Sequence, residues 1–374
     1  MTADDLILNP NLLMMPPYTP SKSTKELQEE YGFEKAVKLG SNENPIGPSP
    51  LAIEAVKRSA TDMHYYPSAA VSQLRCKLAE SMGPNFDENN IIIGNGSCHI
   101  LRMAAEAFLH RGGESIMRRN AFPMYAAVTK MYGGECVFTE TNKDYTFDLS
   151  SVTERITDRT RLVFLANPNN PTGTIVTQQE LDEFVERVPP AVVVILDHAY
   201  QEYVEAKEYP DVAKYILDGR NVIVTRTFSK VYGLAGLRMG YGIARREVAE
   251  YLNRAQLPFH SSSVALMGAI ASLDDVEHVK LSRRLNAEGK KYLYQEFEEL
   301  GLTYVPTHAN FILLVGFKHD TKAISQALLR RGVIVCPAHP FNMPQAIRVT
   351  IGKPEENERL VEALREVLDE LISC

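Results

Sequence analysis

The chain has 374 residues, 45% of them hydrophobic and 23% charged, with a formal net charge of −7. This is globular composition, long enough for one large domain with a smaller one beside it, and the acidic balance excludes the basic footprint of a nucleic-acid binder. The apolar runs are too short to cross a bilayer, and the nine histidines show no metal-ligand spacing.

The first stretch, MTADDLILNP, is acidic and lacks a basic region followed by an apolar core, so no signal peptide is expected. The five cysteines (Cys76, Cys98, Cys136, Cys336, Cys374) are odd in number and form no CxxC pair. Reduced thiols in a cytoplasmic protein fit that pattern better than a disulfide framework. Residues 1–39 carry turn-formers (MMPPYTPSKS) and then a polar stretch, and read as an arm. SNENPIGPSP (41–50), dense in Asn, Pro and Gly, predicts a loop of defined shape.

From about residue 90 apolar runs alternate with amphipathic helices. IIIGNGS (91–97) is a strand entering a glycine turn, and HILRMAAEAFLH (99–110) follows with helical spacing. RLVFLANPNN (161–170), AVVVILDHAY (191–200) and NVIVTRTFSK (221–230) are Val/Ile/Leu-rich runs broken by a polar residue. Separated by helices such as TQQELDEFVERV (177–188), they predict an α/β fold whose mostly parallel sheet is covered on both faces. After residue 255 the style changes. Residues 274–301 read as a long helix stopped by Gly301, 308–336 as strand, helix, strand, and the last helix follows Pro354 with Leu360, Val361, Leu364, Val367, Leu368 and Leu371 on one face. The expected organisation is a large domain over 40–255 and a small α+β domain made discontinuously of the arm, 1–39, and 256–374.

In open α/β sheets ligands sit beyond the carboxyl ends of the strands. Three of the predicted strands deliver Asn170, Asp197 and Lys230 to that edge, with Tyr200 just past the second. Where IIIGNGS runs into a helix, free N–H groups with Gly94 and Gly96 beside them suit a phosphate. No GK[ST] follows, so this is not a Walker A loop, and no third glycine completes a dinucleotide fingerprint. A lysine, an aspartate, an asparagine, a tyrosine and an anion cradle at successive strand ends are what a pyridoxal 5'-phosphate site requires.

With these residues in place, the sequence resembles the fold-type I pyridoxal-phosphate enzymes of the class I/II aminotransferase superfamily. SNENPIGPSP, NPNNPTGT, DHAYQEY, RTFSKVYGLAGLRMGYG and IRVTIG together resemble its histidinol-phosphate aminotransferase branch, in the correct order from about Tyr18 to the C-terminus. The resemblance implies that Lys230 forms the aldimine with the cofactor and shuttles the proton, and that Asp197 pairs with the pyridine nitrogen. Tyr200 and Asn170 would bond the ring's 3' oxygen, and Tyr125 would stack on the ring. Ser97, Cys98 and His99 at the helix start, with Thr227, Ser229 and Arg238, would hold the phosphate. Tyr66 would cross to the neighbour's phosphate in a homodimer with shared active sites. Arg348 would bind the substrate's anionic head, while Tyr18 and Asn42 close over the substrate.

Four positions depart from the branch. Cys336 stands where a second arginine for the substrate phosphate is expected, with His339 a weaker donor that needs protonation. Cys98 and His99 replace the acidic pair after GNGS, and Val128 replaces a second aromatic. The expected function is a ping-pong transaminase of histidine biosynthesis, converting L-histidinol phosphate and 2-oxoglutarate to imidazole acetol phosphate and L-glutamate. The departures leave open an aminotransferase for aromatic or other amino acids, and the scaffold leaves open a decarboxylase of the threonine-phosphate type. A non-enzymatic effector-sensing module is the remotest alternative, because no helix-turn-helix is present. The expected partners are small molecules, an amino donor and a 2-oxo acid acceptor, with no metal.

Overall fold

Branched aliphatic residues dominate the strands of this protein because they pack well on a pleated, buried surface. The structure is a computed structural model that describes residues 9–13, 15, 24–33, 36–110 and 112–372. Its strands are β1 (Val37–Lys38), β2 (Ile91–Gly94), β3 (Glu114–Arg118), β4 (Glu135–Thr139), β5 (Thr160–Ala166), β6 (Val193–Asp197), β7 (Val222–Thr227), β8 (Gly240–Ala244), β9 (Thr303–Val305), β10 (Phe311–Val315), β11 (Val333–Ile334), β12 (Cys336–Pro337) and β13 (Ile347–Thr350).

Seven strands form the main sheet in the order β2-β8-β7-β6-β5-β3-β4. Pairing is parallel from β7 through β6, β5 and β3 to β4, and β8 runs antiparallel to both β7 and β2. Side chains alternate across this sheet, as strand geometry demands. Ile91, Ile93, Val163, Leu165, Val194, Leu196 and Val224 join one apolar layer. Ile92, Leu162, Phe164, Val193, Ile195 and Ile223 join the other. Both faces are therefore covered, which explains continuous apolar runs in place of alternation. Each fully buried Leu, Ile or Phe contributes about 1.5–3 kcal/mol, so the sheet is a rigid base for whatever sits at its edge.

A second sheet, β12-β13-β10-β9, is antiparallel throughout. Leu293 and Phe297 of the helix Val276–Glu299, and Leu360, Leu364 and Val367 of the helix Pro354–Ile372, pack on it. Asp275 caps the first of these helices by accepting the His278 N–H. The segment before the loop at 41–50 is tied in here, because β1 pairs parallel with β11.

Two packing features bear on the expected organisation. The helix Ser263–Ser272, placed with the small domain in the sequence reading, puts Ala265, Leu266, Ala269 and Ile270 into the core of the seven-stranded sheet. Its mean composition is so uniformly apolar that no single face announced its partner. The arm also divides. Its β1 segment forms a separate two-stranded sheet with β11, whereas the turn Pro10–Leu13 lies against the helix Met124–Met131 beside the large sheet. Among the described residues no helix is long and apolar enough to cross a membrane.

Candidate active site

Neighbouring strands lie about 4.8 Å apart, so residues that leave β5, β6 and β7 at the same edge arrive side by side. Asn170 follows β5, Asp197 ends β6 and Lys230 follows β7. Phe228, fully buried, pins the chain between β7 and Lys230, and its N–H donates to the Met239 carbonyl 3.0 Å away. The loop at 41–50 then closes against this turn. A Cβ on Gly233 (φ 67°) would stand 2.1 Å from the Gly47 carbonyl oxygen, so only glycine permits the approach.

The Lys230 Nζ donates to the Ser41 carbonyl at 3.1 Å and lies 5.6 Å above the Tyr200 ring. Burial, and after it the Arg348 guanidinium, lower its pKa to about 8, with Arg238 adding to the same direction. At pH 7 roughly a tenth of such an amine is neutral, against about three in ten thousand at the ordinary value. Asp197 is buried, accepting from the Tyr125 hydroxyl at 2.8 Å and from the Thr225 hydroxyl at 3.0 Å. Burial raises its pKa while those two bonds pull it back. A carboxylate in that state is stabilised by a cation, such as a protonated ring nitrogen, placed beside it.

The anion cradle lies two strands away. Gly96 (φ 76°) precedes the helix Ser97–Phe108, and no side chain caps that helix, which leaves first-turn N–H groups free for an anion. A Cβ on Gly96 would meet the Arg238 Nη2 at 2.6 Å, so the guanidinium reaches the turn only because glycine is there. Arg238, itself left-handed at φ 56°, donates through Nη1 to the Ala235 carbonyl at 2.9 Å and the Ser229 hydroxyl at 3.4 Å. The Thr227 hydroxyl accepts the Ser229 N–H at 3.1 Å. An uncapped helix start, a guanidinium and two hydroxyls suit a phosphate monoester; Asp197 and Lys230 suit a protonated heteroaromatic ring and its carbonyl.

Facing the Lys230 turn across the loop is Arg348 of β13, which is buried. Its Nη1 donates to the Asn170 Oδ1 at 2.6 Å and its Nη2 to the Gly40 carbonyl at 2.7 Å, while its Nε has no partner in the structure. Phe311 and Phe341 flank it at 5.4 and 5.3 Å. Cys336 lies opposite it across the β12–β13 ladder.

The other residues expected in the site make contacts of their own. Tyr125 stacks on Phe164, with ring centroids 5.0 Å apart, and turns its hydroxyl to Asp197. The His99 ring accepts the Asn95 N–H at 3.2 Å and packs edge-on to His260, which turns it toward those partners. The Cys98 thiol is half-buried, its pKa raised by burial and by Asp197. Asn42 donates to the Tyr200 hydroxyl at 3.0 Å. Tyr66 is 75% exposed and stacks on the 56% exposed Phe259, with ring centroids 4.1 Å apart. Tyr18 lies outside the described residues. Sequence reasoning missed Thr225, whose period-two position opposite Asp197 on β7 was the available signal, and the backbone carbonyls of Gly40 and Ser41, for which sequence holds none.

Comparison with known proteins gives the same direction. Residues 34–364 match the family described as aminotransferase class I and II. A histidinol-phosphate aminotransferase of Moorella thermoacetica is 45% identical over 358 residues, covering 96% of this chain and 92% of that protein. One from Caldicellulosiruptor saccharolyticus is 43% identical, covering 94% and 97%. The crystal structure of histidinol-phosphate aminotransferase from Sinorhizobium meliloti in complex with pyridoxal-5'-phosphate superposes with a TM-score of 0.86 at 26% identity, covering 98% of each chain. This chain belongs to the class I and II aminotransferase family, and is a transaminase of fold type I.

Proposed function

We propose that the protein is a pyridoxal-phosphate-dependent histidinol-phosphate aminotransferase, exchanging the amino group of L-histidinol phosphate with 2-oxoglutarate to give imidazole acetol phosphate and L-glutamate. The observation that carries this reading is a lysine amine with pKa lowered to about 8, set between a buried carboxylate and an uncapped helix start with an arginine. Near full-length identity above 40% to proteins of that name supports the substrate.

When bound, pyridoxal phosphate supplies the carbonyl that takes up the donor's amine and a ring that accepts the electron pair left at Cα. The residues of this chain do the rest. Arg238, the Ser229 and Thr227 hydroxyls and the N–H groups of Ser97 and Cys98 hold the phosphate. Asp197, oriented by Thr225 and Tyr125, holds the proton on the ring nitrogen. Tyr200 donates to the 3' oxygen and Asn170 assists it. Lys230 takes the proton from the substrate Cα, a role that needs the neutral amine its surroundings favour. Arg348 binds the substrate anion with a planar fork. Substitution Lys230→Ala tests the assignment: transamination should vanish, with the parental circular dichroism retained. Turnover at the parental rate would sink it.

We further propose a cytoplasmic homodimer in which Tyr66 serves the partner's site, which accounts for its exposure together with Phe259. The large domain takes residues 40–255 with the helix Ser263–Ser272 and the turn Pro10–Leu13, and the small domain takes β1 with the helices and strands from Val276 to Ile372. A second reading, transamination of an aromatic amino acid, draws on Cys336, Phe311 and Phe341, which surround Arg348 with no second guanidinium.

A further inference from the structure

Three consecutive carbonyls in the loop after β1 are taken by three different elements. Gly40 receives Arg348, Ser41 receives Lys230, and Asn42 receives the Asn310 amide at 3.1 Å. Asn42 itself is 1% exposed and left-handed at φ 54°, a conformation that asparagine and aspartate tolerate far better than other non-glycine residues. Its N–H donates to the Thr350 hydroxyl at 2.9 Å, and that hydroxyl donates back to the Asn42 Oδ1 at 3.3 Å. With Oδ1 committed as acceptor, the Nδ2 end must face Tyr200, and it donates to the Tyr200 hydroxyl at 3.0 Å. Every polar atom of Asn42 is thus engaged inside the protein, which argues against a lid that contacts substrate.

We infer that Asn42 is a positioning residue for the Tyr200 hydroxyl: by filling that oxygen's acceptor role from behind, it directs the O–H hydrogen forward into the cofactor site. Thr350 sets the direction by fixing the asparagine amide. This inference rests on the role proposed above for Tyr200. An amide donor behind a phenol also strengthens it as a hydrogen-bond donor in front. Replacing the amide by a carboxylate reverses the polarity, because an aspartate at 42 accepts the tyrosine hydrogen and turns it away from the site.

The test uses full-length Asn42→Asp, Asn42→Ala, Tyr200→Phe and the double variant Asn42→Asp/Tyr200→Phe, with aspartate chosen because it tolerates the left-handed backbone. Each is loaded with pyridoxal phosphate, and the pH midpoint of the bound-cofactor absorbance is titrated. Losing a charge-assisted bond to the ring oxygen is expected to raise the midpoint by about one unit or more in Asn42→Asp. The shift should be smaller in Asn42→Ala, and Asn42→Asp should add less than half of it when Tyr200 is already Phe. An equal shift in both backgrounds, or none in either, overturns the relay. A second readout needs no cofactor: the Tyr200 ring carbon resonance in ¹³C-tyrosine-labelled apoprotein. Its titration should move upward in Asn42→Asp, and an unchanged titration also overturns the relay. If the parent protein fails to bind pyridoxal phosphate while the Tyr200 resonance moves as expected, the proposed function fails and the Asn42–Tyr200 coupling stands.

Discussion

Substituting Gly96 by alanine should weaken cofactor binding beyond its cost to the fold. An ideal Cβ there lies 2.6 Å from the Arg238 Nη2, whereas comfortable heavy-atom contact begins at about 3.5 Å. The guanidinium must then retreat by roughly 0.9 Å, which stretches a charge-assisted bond to phosphate from about 2.8 Å to beyond hydrogen-bonding range. Loss of one such bond costs about 1.5–3 kcal/mol, or roughly a 10- to 150-fold rise in Kd. The residue also sits at φ 76° and ψ 166°, a region essentially reserved for glycine, which adds on the order of 1–3 kcal/mol of backbone strain. Gly219 separates the two effects, because it has φ 74° and open space around its Cβ position. The assay is titration of dialysed apoenzyme with pyridoxal phosphate, followed through tyrosine fluorescence since the chain has no tryptophan. Both variants should lower thermal stability, but only Gly96→Ala should raise Kd, at least tenfold. Equal Kd values for both variants and the parent would refute the cradle.

Three further outcomes follow from the site's electrostatics. The Lys230 pKa in the fold, about 8, lies below the value of 10.5 for the unfolded chain, so between those pH values the folded state binds fewer protons. Apoprotein stability should therefore rise with pH across that window, and the cost, on the order of 1–3 kcal/mol, is fully present below pH 8. By differential scanning fluorimetry, apo Lys230→Met should melt above the parent at pH 7, with the gap closing toward pH 10.5; a gap indifferent to pH contradicts it. Arg348→Gln removes the largest neighbouring charge lowering that pKa. The pH midpoint for acylation of Lys230 in apoprotein, followed by peptide mass mapping, should move upward, and KM for an anionic amino donor should rise roughly 10- to 100-fold; an unmoved midpoint would show that burial acts alone. Asp197→Asn should cut kcat by about 10² to 10³ if the carboxylate holds a ring proton during the reaction, and steady-state kinetics with parental activity would exclude that role.

The sequence disclosed the outline of the site for a physical reason. Parallel strands buried on both faces must be continuous apolar runs, so the polar residue that ends each run marks the sheet edge, as Asp197 and Lys230 do. The anion cradle was legible because a glycine turn entering an uncapped helix has one geometry. What stayed hidden depends on contacts that carry no local pattern. The Gly40, Ser41 and Asn42 carbonyls accept from Arg348, Lys230 and Asn310, and any sequence offers carbonyls. Tyr125 and His99 sit where the motifs put them, but their rotamers follow Phe164 and His260, which are distant in sequence. The packing of the helix Ser263–Ser272 on the seven-stranded sheet was not legible, because an apolar helix without a polar face does not declare which core it enters.

The most direct test of the whole account is a single-turnover reaction without an oxo-acid acceptor. Holoenzyme is mixed separately with L-histidinol phosphate, L-phenylalanine and L-glutamate, and the visible absorbance of the bound cofactor is followed with the keto product. The account predicts fast bleaching by histidinol phosphate, one keto product per site, and colour restored by 2-oxoglutarate. Bleaching by phenylalanine but not by histidinol phosphate would reassign the substrate, and release of carbon dioxide without a keto product would contradict transamination itself.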